Sequence, residues 1–121
     1  MGKPGLKAVA AAALAAGLAA CASTPPPIEQ VAAARASVAQ AHPVATKDAP
    51  AELHTAQTKL ARAEDAMQRG DYVHARIFAE QAEVDAKYAW SVAENARVQR
   101  AAADVDQSIT TLREELERRT K

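Results

Sequence analysis

The sequence is poor in the residues that build disulfides, thick cores and phosphate loops. Among its 121 residues are one cysteine and four glycines, and aromatic residues make up only 3% of the chain. A single cysteine cannot form an intramolecular disulfide. Basic and acidic residues number 15 each, so the net charge is zero. The chain therefore has no basic field of the kind that nucleic acids or anionic lipids require, and we expect no nucleic-acid partner.

The sequence also has few candidates for catalysis or metal binding. Its three histidines are predicted to lie far apart on separate elements, whereas a metal site needs ligands that converge. Carboxylate pairs such as Glu64-Asp65 lie in predicted helices, which direct adjacent side chains away from each other. There is no glycine-rich phosphate loop and no plausible Ser-His-Asp or Cys-His arrangement. We therefore expect a protein that is not an enzyme and that binds no metal and no cofactor.

A short apolar run near the start indicates a secretory leader. Residues 8–20 are mostly alanine, Lys3 and Lys7 precede them, and small residues lead up to Cys21. This is the charged, apolar and small-residue order of a signal peptide. Thirteen residues span about 20 Å as a helix, which is too short for a hydrocarbon core of about 30 Å. We expect residues 1–20 to be a signal peptide, cleaved between Ala20 and Cys21.

The sequence Leu18-Ala19-Ala20-Cys21 resembles the lipobox of bacterial lipoproteins. The resemblance implies that Cys21 carries diacylglycerol and a further acyl chain such as palmitate, and several chains together anchor a protein stably in a membrane. Ala22, where Asp would favour the inner membrane, favours the outer membrane and a periplasm-facing chain. The alternative is an ordinary signal peptide followed by a chance cysteine. Loss of residues 1–20 removes two of the 15 basic residues and no acidic one, leaving a net charge of about −2.

Alanine dominates the rest of the chain, and alanine is the best helix former although it buries little area. We predict an all-α fold: an antiparallel helical hairpin, a short N-terminal helix, and a long C-terminal helix that extends as a coiled-coil arm. A proline-rich tether over residues 22–27 precedes a first helix over residues 28–41. His42-Pro43 is predicted to end this helix, because the residue before proline avoids helical angles, and residues 44–47 are predicted to form a loop. The face expected to pack is Ile28, Val31, Arg35, Val38 and Ala39.

The second helix is predicted to start at Asp48 and to run to about residue 69. Asp48 would cap it, and Pro50 would occupy its first turn. Gly70 is expected to stop it and Asp71 to cap the next helix. Its apolar residues recur at heptad spacing: Leu53, Ala56, Leu60, Ala63 and Met67.

The third helix is predicted over residues 72–118, which contain neither proline nor glycine. It carries two stripes on nearly opposite faces. One stripe consists of small residues, which allow the second helix, folded back antiparallel, to pack closely against the third. Its members are Ala75, Ala79, Ala82, Ala86, Ala89, Ala93 and Ala96. The other stripe is larger, and Ser91 and Asn95 interrupt it: Val73, Ile77, Val84, Tyr88, Val98, Ala102, Val105, Ile109, Leu112 and Leu116.

The second helix is long enough to cover the third only to about Ala93. Beyond that point the larger stripe continues with a spacing of 4-3-4-3-4, which is typical of a coiled coil. We name its large side chains the distal seam: Val98, Val105, Ile109, Leu112 and Leu116. A seam without an internal partner predicts either a homo-oligomer or the docking of another helical envelope protein. The alternative is a solvated tail whose periodicity is incidental.

The pattern around the predicted turn resembles a known family of uncharacterised function. It runs from Leu53 and Leu60 through Gly70-Asp71-Tyr72 to the alanines at positions 75, 79 and 82. It is similar to a domain of unknown function in small proteobacterial lipoproteins, which often precedes an OmpA-like peptidoglycan-binding domain. No OmpA-like domain is present in this sequence. We divide the chain into signal peptide (1–20), lipidated cysteine and tether (21–27), hairpin domain (28–97) and coiled-coil arm (98–121).

The last residue, Lys121, follows a long helix in a chain that starts from a lipid anchor. This layout is loosely similar to that of the murein lipoproteins of enteric bacteria, whose terminal lysine is joined to peptidoglycan. The resemblance implies covalent attachment through Lys121. The leading expectation is nevertheless a structural or scaffolding lipoprotein of the cell envelope. The alternatives are a periplasmic adaptor for another envelope protein and the peptidoglycan tether.

Overall fold

The computed structural model describes residues 24–121, which form three α-helices and no strand: α1 (Ile28–Asp48), α2 (Pro50–Gln68) and α3 (Tyr72–Arg119). The predicted all-α class is confirmed, as are the hairpin and the long C-terminal helix. The predicted signal peptide and its cleavage and lipidation site at Ala20 and Cys21 lie outside the described residues.

Helix α1 is longer than predicted, because it continues through Pro43 to Asp48. The predicted end at His42 and the predicted loop over residues 44–47 are wrong. Proline in a helix interior costs about 3 kcal/mol because it removes one backbone hydrogen bond and crowds the preceding turn. Here Pro43 lies on the solvent side, where water can satisfy the freed carbonyl, while Ala41 and Ala45 on either side of it are buried. Continued packing of this face offsets the cost.

The junction between α1 and α2 is the single buried residue Ala49. Pro50 occupies the first turn of α2, as predicted, but Asp48 does not cap that helix, and Ala49 at the cap position makes no side-chain cap. Asp48 instead ends α1, and its Oδ2 accepts a hydrogen bond of 2.5 Å from Nη2 of Arg100 in α3. The carboxylate is therefore used between helices rather than at a helix end.

The turn between α2 and α3 forms as predicted. Gly70 has a φ of +74°, a left-handed backbone conformation that is unfavourable for residues with a Cβ atom. The backbone N–H of Asp71 donates to the carbonyl of Ala66 at 2.9 Å, and this bond closes the end of α2. The Asp71 carboxylate accepts from the backbone N–H of His74 at 3.2 Å and so caps α3.

The Asp71 cap is expected to make the fold sensitive to acid. The hydrogen bond from the His74 backbone lowers the pKa of Asp71 from its ordinary value of 3.8. A lowered pKa means that the cap contributes stability above about pH 4 and that this contribution is lost as the pH falls through the folded-state pKa. Asp71→Ala should therefore lower the melting temperature near pH 6, and the difference from the unchanged chain should shrink towards pH 2.

The control for this prediction is Asp106→Ala, because Asp106 is an exposed carboxylate in the middle of α3. In thermal unfolding followed by circular dichroism, the difference in melting temperature between Asp106→Ala and the unchanged chain should not shrink in this way between pH 6 and pH 2. An Asp71→Ala difference that stays constant over this range would contradict the role of the charged cap.

The core consists almost entirely of alanine. Six alanines of the predicted small stripe are at most 1% exposed, while Ala96, past the end of the core, is half-buried. Near the α2–α3 turn, Val31 and Ala34 of α1 pack with Ala63 of α2 and with Ala79 of α3. The six buried alanines of α3 are Ala75, Ala79, Ala82, Ala86, Ala89 and Ala93.

At the other end of the bundle, the second half of α1 packs with the start of α2 and with the later alanines of α3: Val38, Ala41, Ala45, Ala49, Leu53, Ala56, Ala86, Ala89 and Ala93. The start of α1 therefore lies beside the start of α3, and the end of α1 lies further along α3. Helix α1 is parallel to α3, and α2 is antiparallel to both. The described chain is a three-helix bundle from which the end of α3 projects.

The packing face of α1 differs from the predicted one. Val31 and Val38 are buried as expected, but Ile28 and Ala39 are exposed, and Arg35 points to solvent. Ala34, Ala41 and Ala45 fill the interface instead. Arg35 contacts α2 through its head group, because its Nε donates to Oε1 of Glu64 at 2.5 Å.

Candidate docking face on helix α3

Helix α3 extends well past the bundle that supports its first half. The contact between Asp48 and Arg100 marks the end of α1 against α3, and every residue from Arg97 onward is exposed. The 19 residues from 101 to 119 remain helical, so the free part of α3 is about 28 Å long. We call this part the arm.

The distal seam lies on the arm and at its base, and none of its five side chains is covered by the described residues. Their exposed fractions range from 41% for Ile109 to 64% for Leu116. Large aliphatic side chains in contiguous exposed rows mark sites of protein association more often than scattered ones do. The structure thus leaves the predicted seam available to a partner and supplies none itself.

The seam is part of a longer heptad register that starts within the bundle. Counting back from the distal seam by alternate steps of three and four residues reaches Tyr88, Val84 and Ile77. The steps also include Gln81, Ser91 and Asn95, which are polar and so do not belong to the apolar stripe. All twelve positions are exposed. We name them the heptad face: a positions Gln81, Tyr88, Asn95, Ala102, Ile109 and Leu116, and d positions Ile77, Val84, Ser91, Val98, Val105 and Leu112.

The bundle leaves the heptad face free because its own contacts use the opposite side of α3. The buried alanines from Ala75 to Ala93 occupy b and f positions of the same heptad count, and these positions point away from a and d. A continuous helix can therefore pack against α1 and α2 on one side while it presents a coiled-coil surface on the other. The two stripes predicted from the sequence are confirmed as one buried face and one exposed face.

The edge of the heptad face that lies nearest α2 carries a charge pair. Lys59 of α2 reaches across to Asp85 of α3, with 2.6 Å between Nζ and Oδ2, and both side chains are about three-quarters buried. On the other edge, Lys87 pairs with Glu83 within α3 at 2.5 Å. The Lys87–Glu83 pair, whose lysine is 66% exposed, is of the kind that contributes roughly 0–1 kcal/mol. The main consequence of the Lys59–Asp85 pair is that the acidic Asp85 at this edge is already matched by a lysine.

Other kinds of site receive no support from the described part of the chain. Within residues 24–121 no three His, Cys, Asp or Glu side chains converge on a common point that could hold a metal ion. None of the helices over this range is long and apolar enough to cross a bilayer. His42, predicted in a loop, lies within α1. Lys121 is exposed just beyond the end of α3, and its attachment to peptidoglycan stays a prediction.

A comparison with known proteins gives one match. A family model described as a domain of unknown function (DUF4398) matches residues 29–105. No curated protein and no solved structure matches the chain. The matched range includes the whole bundle and ends at Val105, so the family pattern contains the base of the arm. Ile109, Leu112 and Leu116 lie beyond it.

Proposed function

We propose that this chain, which belongs to the family described as a domain of unknown function (DUF4398), is a scaffolding lipoprotein of the bacterial cell envelope. In this proposal Cys21 carries the lipid that holds the chain in the outer membrane, the bundle faces the periplasm, and the protein has no enzymatic activity. The arm of α3 is the part that binds another helix. A periplasmic adaptor that holds one particular envelope protein is the alternative.

The observation that carries the proposal is the projecting arm with its exposed distal seam. Burying a Val, Ile or Leu side chain contributes about 1.5–3 kcal/mol relative to leaving it exposed. Val98, Val105, Ile109, Leu112 and Leu116 are at least 41% exposed in the isolated chain. A partner helix would recover part of that free energy at each of them. An arm with this pattern is therefore best explained as a docking element.

The position of the start of α1 supports the proposed orientation towards the membrane. Pro27 is buried against the bundle and Ile28 begins α1 beside the α2–α3 turn. The six residues from 22 to 27 would span at most about 20 Å between a lipidated Cys21 and the bundle. The turn end of the bundle would then sit close to the membrane, and the arm would point away from it into the periplasm.

The anchor is tested by replacing Cys21. In cells, Cys21→Ser should lose the acyl chains and release the protein from the outer-membrane fraction, while the matched change Ala22→Ser should leave it there. Membrane fractionation and mass spectrometry of the N-terminal peptide measure the two effects. A Cys21→Ser chain that still sediments with the outer membrane, or an unmodified Cys21 in the unchanged chain, would rule out the lipoprotein assignment.

The adaptor alternative is separated from the scaffold by what the arm contacts in cells. A photo-reactive residue in place of Ser108, which is exposed on the arm one helical turn from Leu112 of the distal seam, would capture whatever packs there. Recovery of one particular envelope protein in stoichiometric yield would favour the adaptor. Recovery of this chain itself would favour the scaffold.

A further inference from the structure

We propose that the heptad face is occupied by a second copy of this chain, packed parallel and in register from Ile77 to Leu116. This inference rests on the proposed docking role of the arm and names the partner.

The length of the register points to a second copy. The twelve a and d positions continue without a break over 40 residues, about 58 Å of helix, and all are exposed. Only the distal part of this face lies on the arm, since Ile77, Val84 and Tyr88 lie along the bundle. A foreign helix would need its own matching repeat of the same length to cover it. A second copy of α3 carries that repeat by definition.

The exposed area is sufficient for a stable pair. From the exposed fractions of its side chains, the distal seam presents on the order of 500 Å² in each copy, so two copies would bury at most roughly 1,000 Å², at the lower limit for a specific interface. Adding Ile77, Val84 and Tyr88 raises the total to roughly 1,700 Å², which is the usual size of such an interface. The full face, including the half within the bundle, is therefore needed.

Asn95 indicates the register of a parallel pair. It occupies an a position, exposed, between the two apolar halves of the face. In a parallel, in-register pair, Asn95 meets Asn95 of the other copy, and the two amides can hydrogen-bond to each other. A slip of one heptad would set it against Tyr88 or Ala102, and an antiparallel pair would set it against a d position. Such a slipped pair leaves the amide without a polar partner, and so does an antiparallel pair in every register except the one that sets Asn95 against the d-position Ser91.

The geometry of the bundle agrees with parallel packing. The start of α1 lies at the same end as the start of α3, and in the proposed function the lipid anchor would be attached at that end. Two copies attached to one membrane through that end have their α3 helices pointing in the same direction. Antiparallel packing would require the two copies to be attached on opposite sides.

The charges beside the heptad face permit this arrangement. In a parallel pair, each g position faces the e position five residues later in the other copy. On the arm this places Ser108 opposite Arg113 and brings no two like charges together. Within the bundle it places Glu80 near Asp85, but Asp85 is already paired with Lys59 of its own chain at 2.6 Å. Lys59 would thus lie between the two acids.

The number of copies is a separate question from their direction. Asn at an a position favours two strands, whereas β-branched residues at d positions, here Val98 and Val105, favour more than two. The two preferences oppose each other. A dimer and a trimer therefore both satisfy the proposal, provided that the helices are parallel and in register.

The test is disulfide trapping in residues 22–121, which contain every described residue and no native cysteine. Single cysteines are introduced at the a position Ala102 and at the d position Ser91, and at Ala103 as the matched control. In a parallel, in-register pair, both Ala102→Cys and Ser91→Cys should form disulfide-linked dimers under mild oxidation. Ala103→Cys, at an outward b position, should cross-link at least tenfold less. Mass in solution is measured on the unoxidised samples.

The outcomes separate this inference from the proposed function. An antiparallel pair can bring at most one of the two test positions next to its own copy. Cross-linking at only one of them, or equally at Ala103, would overturn the inference. A monomer at all concentrations would also overturn it, but recovery of another envelope protein from the arm in cells would then leave the docking role intact. A monomer whose arm captures nothing in cells would overturn both.

Discussion

Replacing Ile109 and Leu112 together by aspartate is expected to abolish association of the chain and to leave its helices intact. Each change removes an apolar side chain worth about 1.5–3 kcal/mol on burial and puts a charge in its place. The pair should therefore weaken association by more than about 100-fold. Both residues are exposed in the isolated chain, so the fold does not depend on them. Sedimentation equilibrium over a concentration series, together with far-ultraviolet circular dichroism, measures the two properties separately.

The matched control is Gln107→Asp with Thr110→Asp. These residues have the same spacing along α3, are equally exposed, and lie outside the heptad face. The control adds the same charge to the same turn of the helix, so it should associate like the unchanged chain. If the Ile109 and Leu112 variant still associates, or if both variants dissociate alike, the distal seam is not the contact surface.

The second prediction concerns the alanine core. Ala86→Leu should destabilise the bundle by about 1–3 kcal/mol, because a leucine inserted into a closely packed interface forces side chains and helices apart. Ala86 is fully buried and belongs to the cluster that joins all three helices. Helix α3 contributes only alanines to the buried part of this cluster, so the added atoms would have to displace side chains of α1 and α2 such as Val38 and Leu53. Urea unfolding followed by circular dichroism gives the change in free energy.

Ala103→Leu is the control for this variant. Ala103 is exposed on the arm, so the same added atoms meet solvent and should change the stability by less than about 0.5 kcal/mol. Equal stability of the Ala86→Leu and Ala103→Leu chains would mean that the helices pack more loosely than the structure shows.

The elements that could be predicted from sequence are those fixed by local chemistry. Gly70 and Asp71 form the turn because the left-handed conformation and the cap are properties of these two residues and their immediate neighbours. The two stripes of α3 could also be predicted, since one consists of small side chains and the other of large ones. The exposure of the distal seam then followed from the lengths of the helices.

The extent and facing of α1 could not be predicted in this way. The local preference against a helical residue before Pro43 was overcome by packing of Ala41 and Ala45, which only the folded chain supplies. The buried side of α1 could not be predicted for a different reason. Buried Ala34 and exposed Ala39 are the same residue type, so an alanine-rich helix gives no contrast in hydrophobicity from which to choose its inner side.

The place of Asn95 in the heptad face shows what an apolar pattern omits. Asn95 interrupts the larger apolar stripe because it is polar, although it stands at the spacing of its apolar neighbours and is exposed as they are. A polar residue at such a position specifies which strands pair and in what register, and it does so at some cost in stability. The heptad spacing of Asn95 indicates this role, whereas a search for apolar residues alone does not find it.

The parallel arrangement of α1 and α3 determines how the molecule bears mechanical load. The start of α1 lies at one end of the bundle, and the arm leaves from the other. A pull between these two ends would act along the common axis and shear α1 past α3. The alanine contacts from Ala79 to Ala93 and the bridge between Asp48 and Arg100 would then be strained together rather than opened one after another. Tension applied between these two ends would therefore be shared by all of these contacts at once.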